Sequence, residues 1–437
     1  MDRRRFLTLS SLPLVAQLAA ACGDDTPEQA SGTDRESLRS DVERITVDRD
    51  PAAAAAAIND FGADLYRALA DRSGDDNLVI SPVSISIALT MTAAGARGTT
   101  LDELAAGLRI GSSADVASIH RSMNALDAHL ESLNGSVDNT EEGGTGTSVV
   151  ELSIVNSLWG QAGLTFGPAF LDLLAAEYGA GLELVDYRTA PEAARTAIND
   201  WVDEATQQRI PELLVEGTIT TDTRLTLVNA VHLRANWAER FDESLTTDEA
   251  FTAPTGEVRV PMMHRLHEYG YAAGDGWVAV DVPYVFDGLS LLVAAGSAPD
   301  LAALDALDLD EIVTGLAPRR VDLGLPRFDI GSSLSLATVL RDLGIDLAFT
   351  PSADFSGMTT DEQLMISDVV HEANITTDED GSEAAAATAV VMVGTSAPID
   401  EPVTVVFDRP FRFWLRDRLT GTAVFVGRVT DPSATRS

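Results

Sequence analysis

Asp378-Glu379-Asp380-Gly381-Ser382-Glu383-Ala384-Ala385-Ala386-Ala387-Thr388-Ala389-Val390-Val391-Met392-Val393-Gly394-Thr395-Ser396 opens as a charged turn, passes through four alanines, and ends in valines and a small polar pair. Val and Thr favour extended, half-buried backbone, so this composition suits a permanently solvated loop poorly. With a period of two, Ser382, Ala384, Ala386, Thr388, Val390 and Met392 share one face, small at its start and larger towards its end. Such a strand can enter an existing sheet from its Gly381 end. Each ladder bond nets roughly 1 kcal/mol and buried apolar surface adds about 25 cal/mol per Å², so inserting about eleven residues is worth on the order of 10 kcal/mol. The plain alternative is an Ala-rich linker between two domains.

The order acidic, acidic, Gly, Ser, Glu, small residues and Thr is carried by Glu379, Asp380, Gly381, Ser382, Glu383, Ala384, Ala385, Ala386, Ala387 and Thr388. It resembles the reactive-loop hinge of the serpins, serine protease inhibitors that trap their target by loop insertion. Further stretches agree in the same order along the chain. Asn77-Leu78-Val79-Ile80-Ser81-Pro82-Val83-Ser84-Ile85 resembles the serpin segment that begins the central helix beneath the large sheet, where small Ser81 and Ser84 leave a sheet room to part and reclose. Leu227-Val228-Asn229-Ala230 onward to Trp237 resembles the strand that crosses the centre of that sheet and ends in a Trp where the loop first inserts. Leu343-Gly344-Ile345 with Ala353-Asp354-Phe355-Ser356-Gly357, and Phe425-Val426-Gly427-Arg428-Val429, resemble family signatures on either side of the loop.

The resemblance implies an α+β serpin fold with a large mixed sheet, two further sheets, about eight to nine helices, and an exposed reactive loop over about 380–400 of a single domain spanning 45–437. It also implies an irreversible suicide-substrate inhibitor of serine proteases rather than an enzyme, monomeric, with strand-donated polymers as a hazard. His371 and Asn229 would pair to hold the sheet closed; the local alternative is a core-edge histidine satisfied by any polar neighbour. Counting past Gly381 places the residue read by the protease at Thr395 and the scissile bond at Thr395-Ser396, with Met392 or Val393 as alternatives. A small or apolar residue there suits elastase-like or subtilisin-like targets, and no Arg or Lys lies between Asp380 and Pro402 for a trypsin-like one. The competing function is a non-inhibitory binding or structural protein on the same fold.

Thirty basic against 68 acidic residues give a net charge of -38, and every one of the 30 is Arg. Such a surface repels nucleic acid. Hydrophobic residues make up 45%, enough for a substantial core. At the N-terminus Arg3, Arg4 and Arg5 precede Phe6-Leu7 and an apolar stretch ending at Leu18-Ala19-Ala20-Ala21-Cys22. This reads as an export signal over 1–22 with lipidation at Cys22, followed by a flexible acidic tether over 23–44. Membrane contact would come only through that lipid, placing the protein at the cell surface or in a periplasm, or secreted. Ordinary Cys22 in a cleaved signal is the alternative. Cys22 is the sole cysteine, so an intramolecular disulfide is excluded.

Periodicity and turn chemistry predict helices over 52–70, from Ser81-Pro82 onward, and over 114–133, 170–178, 191–207, 301–316 and 335–343. Strands are predicted over 78–80, 149–159, 181–186, 225–237, 258–263, 277–284, 289–295, 321–328, 407–415 and 424–429, with 134–148 a loop. No Gly-x-Ser-x-Gly elbow, His-Glu-x-x-His helix or phosphate loop occurs. The histidines at 120, 129, 232, 264, 267 and 371 lack metal-site spacing, so no metal or cofactor is expected.

Overall fold

A computed structural model describes residues 36–46, 49–138, 147–206, 208, 210, 212–382 and 401–434. The described residues open with β1 (Glu36–Leu38) and α1 (Ala52–Ala70), then β2 (Leu78–Ile80) and α2 (Pro82–Ala93). α3 (Gly98–Gly107) and α4 (Val116–Ser132) precede β3 (Gly135–Asp138), β4 (Thr147–Gln161), α5 (Pro168–Tyr178), β5 (Leu182–Val185), α6 (Pro191–Ala205) and β6 (Leu225–Asn236). Next come β7 (Thr247–Ala253), β8 (Gly256–Gly274), β9 (Trp277–Pro283), β10 (Leu289–Gly296), α7 (Leu301–Asp305), α8 (Leu309–Gly315), β11 (Ala317–Pro326), β12 (Phe328–Ser335) and α9 (Ala337–Asp342). The chain closes with β13 (Asp368–Thr377), β14 (Gly381–Ser382), β15 (Val403–Val406), β16 (Phe411–Asp417) and β17 (Ala423–Val429).

Two sheets organise these elements. Among the described residues, one is an eight-stranded mixed sheet ordered β1-β5-β4-β6-β13-β12, with β3 beside β4 and β14 beside β6. β6 is antiparallel to β4 but parallel to β13, which it pairs from Asp368↔Thr226 to Ala373↔Val231. The other nine strands form one network, β15-β11-β8-β9-β10-β16-β17-β2 with β7 on β8. The two further sheets implied by the resemblance are thus joined, because the 19-residue β8 pairs β7 and β11 along its length and reaches β9 at its end.

α2 lies between the sheets, and all twelve of its residues are buried. No single apolar stripe describes a helix enclosed on every side, and its buried Thr90 and Thr92 hydroxyls are satisfied within it, donating to Ser86 O and Ala88 O at 2.7 and 2.9 Å. Its start follows the expected chemistry, with Ser81 as N-cap accepting from the Ser84 amide and Pro82 in the first turn. α6 covers the opposite face of the eight-stranded sheet, where Ile198 and Val202 pack in one cluster with Val228 and Ala230 of β6 and Val370 of β13.

The folded part starts earlier than the tether reading of 23–44 allows. Glu36–Leu38 pairs with β5 as the edge strand of the sheet, and Arg44 forms ion pairs with Asp127 and Glu131. A three-residue edge held by backbone pairing and charges carries no hydrophobic periodicity to be read. The signal segment, Cys22 and the first part of the tether lie outside the described residues.

Candidate functional site

β13 leaves β6 after Ala373, runs to Thr377, and the chain doubles back over Asp378–Asp380. The Asp378 amide donates to Gly381 O at 2.9 Å, closing the turn, and Asp378 Oδ1 accepts from the amides of Asp380 and Gly381 at 2.9 and 3.1 Å. Gly381 and Ser382 then pair antiparallel with Asn236 and Ala235 on the side of β6 that β13 occupies lower down. Gly381 and Ser382, just past the turn, are thus paired within the sheet. Glycine is required at 381: φ is +148°, and a Cβ there would sit 2.0 Å from Ala235 O.

Each carboxylate of the turn has its own partner. Arg327 Nε and Nη2 donate to Glu379 Oε1 at 2.8 and 2.6 Å, and Thr246 Oγ1 donates to the same oxygen. Burial pushes the Glu379 carboxyl up, yet Arg327 and Thr246 outweigh it and hold the group below the usual range. Asp378 goes the other way: burial dominates its amide bonds and raises it. Arg240 pairs with Asp380 at 2.8 Å.

Trp237 anchors the backbone of this turn, its Nε1–H donating to Asp378 O at 2.8 Å and its amide to Asp380 O at 3.0 Å. The Phe241 amide donates to Glu379 O at 3.0 Å. Beneath, Tyr284 stacks on Trp237 with centroids 4.4 Å apart and planes 14° from parallel, and its hydroxyl lies 2.7 Å from Ser382 Oγ. Ser382 and Tyr284 are fully buried, and burial raises the Tyr284 pKa.

Six residues down β6 is a second cluster. His371 and Asn229 face each other in register and are hydrogen-bonded through His371 Nδ1 and Asn229 Oδ1. The Ser81 amide donates to His371 Nε2 at 3.0 Å, so that nitrogen is the acceptor and Nδ1 carries the proton. Burial lowers the imidazole pKa to about 3. Ser84 Oγ donates to Asn156 Oδ1 at 3.0 Å, and Asn156 pairs with Asn229 across β4 and β6. The start of α2 is therefore hydrogen-bonded to β4 through Ser84 and to β13 through the Ser81 amide and His371, which in turn bonds Asn229 of β6. Among the described residues, Asn229 Nδ2 is buried without a hydrogen-bond partner.

The sequence-derived residues divide cleanly. Glu379, Gly381, Ser382 and Trp237 meet at the head of β6, and Ser81, Ser84, Asn229 and His371 meet at its middle. Glu383, Ala384, Ala385, Ala386, Ala387, Thr388, Thr395 and Ser396 lie outside the described residues. Sequence reasoning missed Tyr284, Arg327, Arg240 and Thr246, whose only signal is position beside strand ends near the hinge. Among the described residues no group of three or more His, Cys, Asp or Glu could hold a metal, and no helix is long and apolar enough to cross a membrane.

The profile of the serpin (serine protease inhibitor) family matches residues 56–432. The chain belongs to the serpin family. This serpin is 36% identical over 382 residues to a serpin-like protein of Thermococcus kodakarensis, covering 86% of this chain and 85% of that one. It is 33% identical over 394 residues to the leukocyte elastase inhibitor of Sus scrofa, covering 86% of this chain and 99% of the relative. Among solved structures, thyroxine-binding globulin in complex with thyroxine superposes with a TM-score of 0.75 at 28% identity, over 87% of this chain and 100% of the globulin. Serpins as a family inhibit serine proteases, and the α+β fold is theirs.

Proposed function

We propose that this serpin is an irreversible suicide-substrate inhibitor of serine proteases, cleaved at Thr395-Ser396. The protease serine attacks the Thr395 carbonyl, an ester forms, the Thr395-Ser396 peptide bond breaks, and the chain from Ser396 leaves as a free amine. The freed N-terminal half of the loop then inserts between β6 and β13 with the protease attached. Displacement of the bound active site blocks deacylation, since about 1 Å of misplacement can cost a hundredfold in rate.

The observation that carries this reading is the pairing of Gly381 and Ser382 with β6. It supplies the register from which the proposed insertion would continue. Continued at two residues per repeat, Ala384 falls opposite Leu233, Ala386 opposite Val231, Thr388 opposite Asn229, Val390 opposite Leu227 and Met392 opposite Leu225. Leu225, Leu227, Val231, Leu233 and Ala235 belong to the main core, so this face turns inward as Ser382 already does. The other face brings Ala387 and Ala389 opposite Ala230 and Val228, under α6. Small residues are then needed on both faces, which accounts for an unbroken alanine run rather than an alternating one. Thr388 arrives beside the unpaired Nδ2 of Asn229.

Small or apolar residues at the bond favour an elastase-like or subtilisin-like target. Export, and retention on a membrane through lipidated Cys22, belong to the same proposal. Incubation with a panel of such proteases tests it. An SDS-resistant covalent complex, with release of a peptide beginning at Ser396, is expected; cleavage without a complex would instead support a non-inhibitory binding protein.

A further inference from the structure

We infer that Tyr284 is a positioning residue that selects a hydroxyl at the leading position of the loop and holds the hinge threaded in register; this rests on the inhibitory reading above. Ser382 is the first side chain to pass inward, and it is fully buried. Its Oγ meets the Tyr284 hydroxyl at 2.7 Å, and among the described residues neither group makes another hydrogen bond. A buried hydroxyl stripped of its partner costs more than the bond was worth, so retreat of Ser382 from the sheet is penalised at Tyr284 itself.

Tyr284 is well placed for this because its ring cannot move freely. It stacks on Trp237, the Tyr284 amide donates to Leu289 O at 3.0 Å, and the next amide, Val285, donates to Asn236 O at 2.9 Å. The hydroxyl is therefore fixed relative to the β6 residues that pair with Gly381 and Ser382. Sliding the loop by one residue would bring Gly381 or Glu383 over the hydroxyl. The first offers no side-chain partner, and the second requires a carboxylate in a closed site. Register and residue type are thereby read together.

Hydrogen exchange over Asp378–Ser382 tests this in the full chain with Tyr284→Phe, Ser382→Ala, the double variant and Ser382→Thr. Each of the first two should raise local exchange about fivefold, the factor one net hydrogen bond supplies, with no larger effect in the double variant. Ser382→Thr should retain protection. Trp237 emission should shift in the same variants, and more inhibitor should be consumed per protease trapped. Unchanged exchange in Tyr284→Phe, or effects that multiply in the double variant, would overturn the inference. A wild-type protein that traps no protease would instead remove the inhibitory reading, while the exchange result would still report on the contact.

Discussion

Gly381→Ala is the sharpest local perturbation. The added Cβ would lie 2.0 Å from Ala235 O, 2.8 Å from Asn236 Cα and 2.9 Å from Ala235 C, all backbone atoms of β6. β6 cannot retreat, because Ala235 is paired on its other side with Val150 of β4. The hinge must therefore leave the sheet, giving up its pairing with β6, the Trp237 and Phe241 bonds to the turn, and the Ser382–Tyr284 contact. At about 1 kcal/mol net per bond, and with water replacing part of the loss, the change comes to roughly 2–4 kcal/mol, or on the order of a hundredfold against the threaded state. Titration of a trapped protease should show the variant consumed mainly as a substrate. Equal stoichiometry and equal protection of Asp378–Ser382 in variant and wild type would refute the argument that the hinge is threaded at Gly381.

Ser382→Arg would bury an unpaired charge against Tyr284 and should shift the outcome from trapping to cleavage by about tenfold or more, read as the ratio of complex to cleaved chain on a denaturing gel; continued stoichiometric inhibition would contradict it. Asn229→Ala leaves the His371 Nδ1–H unpaired, at about 1–3 kcal/mol, so the unfolding temperature should fall by about 1–4 °C and polymers should appear on warming. An unchanged melting profile without polymers would count against the pairing. Acid should also weaken the fold. Burial lowers His371 to about 3 and His120 to about 4, so between those values and about 6.5 the unfolded chain binds the extra protons. Stability from these groups is complete above about pH 6.5 and is lost as pH falls, at about 1.4 kcal/mol per pH unit for each imidazole. Denaturant midpoints that stay level from pH 7 to 5 would show that the imidazoles are not buried neutral.

Elements with a complete local signal are legible in the sequence alone. The helix predicted over 52–70 is α1, Ala52–Ala70, and Ser81-Pro82 marks the start of α2. Elements defined by their neighbours were not. β12 follows β11 after Arg327 with Gly331 and two serines in its middle, and its strand state depends on pairing with β13. The helical reading of 301–316 divides into two short helices, because Asp308 caps a new start at Leu309. β3 lies in the stretch read as a loop, paired with the head of β4. The site shows the same division. Ser382, Trp237, Asn229 and His371 sit in stretches with a recognisable order, whereas Arg327, Arg240, Thr246 and Tyr284 matter only because separate strand ends converge on one turn.

The proposal that the loop is held out of a more stable sheet is most directly tested by melting the intact protein beside one nicked between Met392 and Ala397. An eleven-residue strand worth on the order of 10 kcal/mol, in a domain of this size, should raise the melting temperature by about 10 °C or more once the nick lets it insert. Identical melting temperatures would mean that no such energy is held back, and that trapping by insertion is not what this chain does.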